Sequence, residues 1–285
     1  MLSAVVWNVD PILFKLGPVQ VHWYGLMWAV GFLVGYYMLV RMFKHEKCPD
    51  DWADKIFIYM AIGTIIGARL GHCLFYGFGH YMANPVEMLK IWERGLSSHG
   101  GAIGILIAMY FYNKHVTKKG YIWIFDRLVL AVGFCGACIR FGNLMNSEIY
   151  GGPTDLPWGF IFVRDGQTVP CHPTQIYEML YCIVALITTS LMYRYGKAYR
   201  REGLLLGTFL LIVFVTRFML EFIKNDQELF EAGHLLNMGQ ILSIPFIILA
   251  AWLVIRAYRR PMNPDTAEET IPLKEEKPLC TKTKA

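Results

Sequence analysis

The stretch YIWIFDRLVLAVGFCGACIRFGNLMNSEIYG, residues 121–151, decides the fold. Residues 121–145 are an apolar run long enough to cross a bilayer, which takes about 20 residues of helix. The end of the run breaks the pattern, because Arg140, Asn143, Asn146 and Glu148 put a cation, two amides and a carboxylate there. An ionised side chain in hydrocarbon costs about 2.5 kcal/mol or more on insertion scales. Such groups therefore face a wet cavity, pair with one another, or bind something charged.

The rest of the chain extends the apolar theme. With 55% hydrophobic and 17% charged residues and a mean hydropathy of +0.37, the composition lies outside the range of soluble domains. Seven segments approach the spanning length, at 22–40, 56–77, 99–113, 121–145, 175–193, 203–223 and 235–255, the third short and the fourth long. This predicts an all-α polytopic membrane protein of about seven transmembrane helices, with a long extracytoplasmic loop between spans four and five. Residues 1–21 read as an extracytoplasmic lead, 22–260 as the seven-span transmembrane domain and 261–285 as a disordered cytoplasmic tail. The lead has neither a basic n-region nor a small-residue cleavage site, so it does not resemble a removable signal peptide.

The net charge of +5 matters less than its placement. If odd-numbered spans run inward, one set of loops collects Arg41, Lys44, Lys114, Lys118, Arg194, Arg200, Arg256 and Arg259, among others. The opposite set holds only Lys15, Lys90, Arg94, Arg164 and Lys224. The positive-inside rule then puts the amino terminus outside and the carboxyl terminus in the cytoplasm. Topology accounts for the basic residues, and no nucleic-acid partner is expected. The seven cysteines show no disulfide-framework spacing, and Cys135-Gly-Ala-Cys138 lies within an apolar helix, where buried small residues explain it. The long connections fall at 78–98 and 147–174, the second carrying Gly159-Phe-Ile-Phe-Val163 as a short strand between turn signals.

This topology brings unusual polar residues to one depth. Arg69, Arg140 with Asn143, and Arg217 with Glu221 fall late in outward spans, while His22 and Tyr24, Ser97 to His99, and His172 to Glu178 fall early in inward ones. Each has a plainer explanation alone. Arg140 would snorkel to the headgroups, though a snorkelling arginine needs no company from Asn143, Asn146 and Glu148. Arg217 and Glu221, four residues apart, suit an intrahelical ion pair as well as a substrate role. Arg69, between glycines that permit close packing, suits a structural hydrogen-bonding role. His99 precedes Gly100-Gly101, which let a ligand or another backbone approach the imidazole. His172-Pro-Thr-Gln-Ile-Tyr-Glu178 suits capping and anchoring of the fifth span.

Taken in order, these segments resemble one family. Arg140-Phe-Gly-Asn143-Leu-Met-Asn146-Ser-Glu148-Ile-Tyr-Gly151 is similar to the signature of bacterial prolipoprotein diacylglyceryl transferases. So are Trp23-Tyr24-Gly25-Leu26-Met27, Ser98-His99-Gly100-Gly101, His172-Pro-Thr-Gln-Ile-Tyr-Glu178, Arg217-Phe-Met-Leu-Glu221-Phe and Met238-Gly-Gln-Ile-Leu-Ser-Ile-Pro245. The resemblance implies a multi-pass inner-membrane enzyme with its amino terminus outside. Such an enzyme moves the diacylglyceryl group of phosphatidylglycerol to the lipobox cysteine thiol of prolipoprotein signal peptides and releases glycerol 1-phosphate. It also implies that Tyr24, His99, Arg140, Asn143, Glu148, Gly151, Arg217 and Glu221 matter for activity. The chain departs from the family pattern at Ile139 and Ser147, where glycine is usual, and at Val213, where tyrosine is frequent.

That reaction needs a thiolate to displace a phosphate ester. A free thiol titrates near 8.5, so a base helps, and His99 suits that role with Tyr24 orienting the reactants. Arg140 and Arg217 would bind the phosphate and stabilise its developing charge. Asn143, Asn146, Glu148 and Gly151 would hold the headgroup, and Glu221 would position Arg217. No cofactor and no metal are expected. Two other readings fit parts of the pattern: an anion transporter using arginine-lined cavities, and a rhomboid-like intramembrane serine protease built on Gly95-Leu-Ser97-Ser-His99.

Overall fold

The computed structural model describes residues 4–17, 19–75, 77–89, 97–224 and 236–263. Among the described residues six helices are long and apolar enough to cross a membrane: α1 (Trp23–His45), α2 (Trp52–Phe75), α5 (Tyr121–Met145), α6 (Thr174–Arg194), α7 (Leu204–Leu220, prolonged by a 3-10 turn to Ile223) and α8 (Met238–Arg259). The third expected span is helix α4 (Ser98–Tyr112), only 15 residues before a π turn over Asn113–Thr117 continues it. A six-residue helix, α3 (Phe78–Ala83), and a 3-10 turn over Pro85–Leu89 follow α2. Residues 90–96 of the first long connection, and the tail from 264 onward, lie outside the described residues.

The expected lead folds into strands. β1 (Val5–Trp7) pairs in parallel with β4 (Phe160–Phe162), the short strand expected from Gly159-Phe-Ile-Phe-Val163, while β2 (Ile12–Leu16) and β3 (Val19–His22) form a hairpin running into α1. Trp7 Nε1 donates to the Leu144 carbonyl (2.9 Å), tying the first strand to the last turn of α5.

Helix α5 is the centre of the bundle, with 56% of its most apolar window buried against 28% for α1, α2 and α8. It packs on α1 and α6, α7 packs on α8, and α2 packs on α4. The outward faces keep large apolar side chains exposed, such as Ile62, Ile66 and Leu70 on α2 and Ile248, Leu249 and Ile255 on α8. Lipid is the matching solvent for such faces, and helix association there rests on close packing rather than on escape from water. The α2/α4 pair shows this directly. A Cβ at Gly67 would lie 2.7 Å from Gly104 Cα, and one at Gly100 would lie 2.7 Å from Gly71 Cα. Gly63, Gly67 and Gly71, spaced every four residues, thus let two backbones touch. Gly100, next to His99, thus meets the α2 backbone at Gly67 and Gly71.

At the opposite end from Arg140, Phe43, Trp52, Tyr112 and Trp123 from four helices share one buried cluster. Beside it lies a charged pair that the sequence reading passed over. The Arg127 guanidinium (1% exposed) grips Glu46 (3%) with Nη2–Oε2 at 2.6 Å and Nε–Oε1 at 3.1 Å, Tyr193 donates to the same carboxylate (3.0 Å), and Trp123 stacks on the cation. Its neighbour Asp126 accepts from the backbone N–H groups of Gly203 (2.6 Å) and Leu206 (2.8 Å), capping α7 from another helix. Removing one partner of such a pair leaves the other buried and unpaired. We expect Glu46→Ala to destabilise the protein by about 3–5 kcal/mol. Unfolding monitored in detergent checks this, and a change under about 1 kcal/mol would mean that water screens the pair.

Candidate functional site

The polar cluster begins on the last turns of α5. Asn143 (3% exposed) sits one turn after Arg140 and accepts from its Nη1 at 3.3 Å. Asn143 Nδ2 in turn donates to Glu148 Oε1 (2.7 Å), and Asn146 Nδ2 donates to the same oxygen (3.3 Å). The chain reaches this arrangement through Ser147 (φ 55°) and Ile149 (φ 60°), two left-handed residues that turn Glu148 back towards the helix end. Left-handed backbone favours glycine, which gives a local reason why glycine suits position 147.

The start of α6 holds this loop in place. Gln175 Nε2 donates to the Glu148 carbonyl (2.6 Å) and Thr174 Oγ1 to the Ile149 carbonyl (2.9 Å). Gly151 N donates to the His172 carbonyl (2.8 Å), and Gly152 N donates to the Ile223 carbonyl (3.0 Å). A Cβ at Gly151 would lie 2.6 Å from that Ile223 oxygen and 2.8 Å from Thr174 Cγ2, so the crossing of three segments has no room for a side chain. Farther along the loop, Tyr150 stacks on Phe162, receives a hydrogen bond from Gln167 and donates to Asp165. Burial, followed by the bond to Asp165, pushes the Tyr150 hydroxyl up to about 12, so it stays protonated as a donor at neutral pH.

The strongest electrostatic feature is a residue read from sequence only as part of an anchoring segment. Glu178 is fully buried, with Oε2 at 2.7 Å from Arg140 Nε and Oε1 at 2.6 Å from Lys224 Nζ. Both contacts are ion pairs held by charge, and neither is aligned as a hydrogen bond. Tyr181, three residues on, lies within electrostatic reach of Glu178, Arg140 and Arg217. Tyr181 also shares a small buried cluster with Ala137 and Cys182, against which Val213 packs. The pairing of Glu178 with Lys224 escaped the sequence reading because nothing in either segment names a partner, although Glu178 stood out as a carboxylate at the edge of an apolar run.

Tyr24 joins the cluster by packing. A Cβ at Gly142 would lie 2.8 Å from its ring, so Tyr24 rests on the turn between Arg140 and Asn143. Arg217 is partly buried and makes no hydrogen bond or ion pair among the described residues. The expected intrahelical pair with Glu221 is not formed, which corrects the reading of Glu221 as the residue positioning Arg217. The α-helix ends at Leu220, a 3-10 turn starts at Glu221, and the buried Glu221 side chain turns to the first turn of α8. A Cβ at Gly239 there would lie 2.7 Å from Glu221 Oε2. The N–H groups at a helix start favour a carboxylate, and Asn237 caps the same turn while donating from Nδ2 to the Glu221 carbonyl (3.3 Å).

His99 stands apart from these contacts. It lies exposed on the first turn of α4 and makes no hydrogen bond, ion pair or ring contact among the described residues. Ser97 caps that helix, accepting from Gly100 N at 3.3 Å, and is buried. Ser97 N donates to the Ala68 carbonyl (2.9 Å). Arg69 beside it is buried and donates to the carbonyls of Glu87 (2.6 Å) and Met88 (3.1 Å), the structural role expected of it. Cys135 and Cys138 are free thiols.

A helical bundle with lipid-matched outer faces, gathering arginines, amides and carboxylates at one end, defines a polytopic membrane protein. A family model described as prolipoprotein diacylglyceryl transferase matches residues 11–256. A phosphatidylglycerol–prolipoprotein diacylglyceryl transferase of Porphyromonas gingivalis is 45% identical over 275 residues, covering 92% of this chain and 97% of its own length. The proteins of the same name from Chloroherpeton thalassium and Tolumonas auensis are 44% and 43% identical, covering 90% and 87% of this chain and 96% of each relative. The chain belongs to the prolipoprotein diacylglyceryl transferase family.

Proposed function

We propose that the Arg140 cluster is the phosphate and headgroup side of a diacylglyceryl transfer site. The chain transfers the diacylglyceryl group of phosphatidylglycerol to prolipoprotein, the first step of lipoprotein maturation. The observation that carries the site is the state of its arginines. Arg140 is fixed through Nε and Nη1 yet keeps Nη2 unengaged, and Arg217 is unengaged altogether among the described residues. A guanidinium presents five donors matched to phosphate oxygens, so both have donors left for an anion.

In the reaction the acceptor is the lipobox cysteine thiol of the signal peptide. A bond forms between its sulfur and the glyceryl carbon, the bond from that carbon to the phosphate oxygen breaks, and the electron pair leaves with glycerol 1-phosphate. The thiol proton passes to His99, whose exposed imidazole at the start of α4 is open to an incoming partner. Arg140 and Arg217 offset the charge growing on the leaving phosphate. Asn143, Asn146 and Glu148 offer the glycerol hydroxyls an amide and carboxylate surface, Tyr24 orients the reactants against Gly142, and Gly151 keeps the loop in register. Counting α4 with its π turn as a seventh span, the reading puts this site at the outer face of the inner membrane with the amino terminus outside, an orientation supported by the loop charge.

Purified protein incubated with phosphatidylglycerol and a lipobox peptide tests the assignment. A mass increase on the cysteine with equimolar release of glycerol phosphate is expected, and absence of both overturns it. General bases contribute about 10²–10⁴-fold, so His99→Gln should slow transfer by at least about 100-fold while phosphatidylglycerol binding persists. Near wild-type rates in that variant would remove His99 as the base.

A further inference from the structure

Lys224 belongs to no segment identified with the reaction, yet it reaches the most buried carboxylate of the site. Its side chain is 3% exposed and its Nζ lies 2.6 Å from Glu178 Oε1, while the other oxygen of Glu178 faces Arg140. Its backbone is fixed independently, since Lys224 pairs with Gly151 in an isolated antiparallel bridge and its neighbour Ile223 accepts from Gly152. The lysine is therefore delivered to Glu178 by the same crossing that sets the headgroup loop.

The charge balance gives this placement its meaning. One carboxylate shared by two cations leaves the Glu178–Arg140–Lys224 trio with one net positive charge. Without Lys224, Glu178 and Arg140 would form a closed, neutral pair, and an approaching phosphate would meet a guanidinium already neutralised. Without Glu178, buried Lys224 and half-buried Arg140 would lose their shared counter-ion and Arg140 would lose the contact that fixes its Nε. Buried charges in low dielectric act strongly on one another, so a single neutralisation at this depth is felt by the anion site.

We propose that Lys224 is a positioning residue for phosphatidylglycerol: it holds one oxygen of Glu178 so that Arg140 stays oriented and the site stays cationic toward the phosphate. This rests on the reading that Arg140 receives the phosphate. A lysine suits the task because its ammonium is a compact point charge that needs one oxygen only, leaving the other to Arg140.

The test uses the full-length protein in phosphatidylglycerol-containing mixed micelles, with KM for phosphatidylglycerol and kcat measured separately. Lys224→Met should raise KM at least tenfold with kcat lowered less than threefold, and Lys224→Arg should stay within threefold of wild type. Glu178→Gln combined with Lys224→Met restores one net positive charge and should recover at least part of the lost affinity. A plain structural role gives the opposite result, with the double variant worse than Lys224→Met and kcat, KM and thermal stability declining together. That result overturns the proposal, as does Lys224→Met with unchanged KM. Arg140→Gln measured alongside separates the two readings. If Arg140→Gln leaves phosphatidylglycerol affinity intact, the phosphate assignment itself has failed, whereas loss of affinity there with an unaffected Lys224→Met removes only the role of Lys224.

Discussion

Replacing Arg140 with glutamine is expected to lower the transfer rate by about 10²–10³-fold, the range seen when one preorganised donor to a developing charge is removed. The size follows from its setting. Arg140 is held from two sides, by Glu178 at 2.7 Å and Asn143 at 3.3 Å, so its orientation is settled before substrate arrives. Glutamine keeps some length and a donor but loses the charge, and it leaves Glu178 facing Lys224 alone. Transfer to a lipobox peptide under single-turnover conditions, with lipid binding followed separately, checks the result. A rate within about threefold of wild type would move the phosphate elsewhere, Arg217 being the next cation in reach of Tyr181.

Gly104→Ala is expected to damage the fold as severely as Arg140→Gln damages chemistry. A Cβ at Gly104 would lie 2.9 Å from Gly67 Cα and 3.0 Å from the Gly63 carbonyl carbon, atoms of a facing backbone that cannot rotate away. Overpacking costs about 1–3 kcal/mol, and with rigid neighbours we expect the upper end, a fall in Tm of about 6–12 °C. Gly101→Ala is the matched control. Its Cβ would meet Ala68 Cβ at 3.6 Å, ordinary van der Waals contact, and it should cost little. Thermal unfolding of the pair in one detergent decides the matter. Equal losses would mean that intrinsic helix effects, not the touching backbones, govern the α2/α4 pair.

Much of the architecture was legible because lipid imposes a simple rule. Backbone polar groups must be satisfied within each segment, so apolar runs of spanning length become helices, and they do so here at nearly the expected places. The short third run stayed short as an α-helix and gained a π turn. Which helices pair was harder to read, since small residues decide it and Gly63, Gly67 and Gly71 carry no polarity to draw notice. In the site, Arg140, Asn143, Asn146 and Glu148 fell together as expected because three of their links run within nine residues of one another. Glu178 lies on α6 and Lys224 just past the 3-10 turn that ends α7, and a long-range ion pair leaves no spacing to detect. The Arg217/Glu221 spacing misled for a related reason: periodicity assumes that the helix continues, and this one ends between the two residues. Asp126 and Arg127 were overlooked because a run that is apolar on average hides two charges paired far along the chain.

The parallel pairing of β1 with β4 has a consequence for how the protein is made. Trp7 and its acceptor on Leu144 are 137 residues apart, and the partner strand lies beyond that again. During synthesis the first strand therefore emerges long before anything exists for it to pair with. It must stay unpaired until α5 has been inserted and residues 160–162 have followed, by which point α1, α2, α4 and α5 have all been made. Glu178, Arg217 and Lys224 are made later still, so this strand pairing is available before the ion pairs around Arg140 can form.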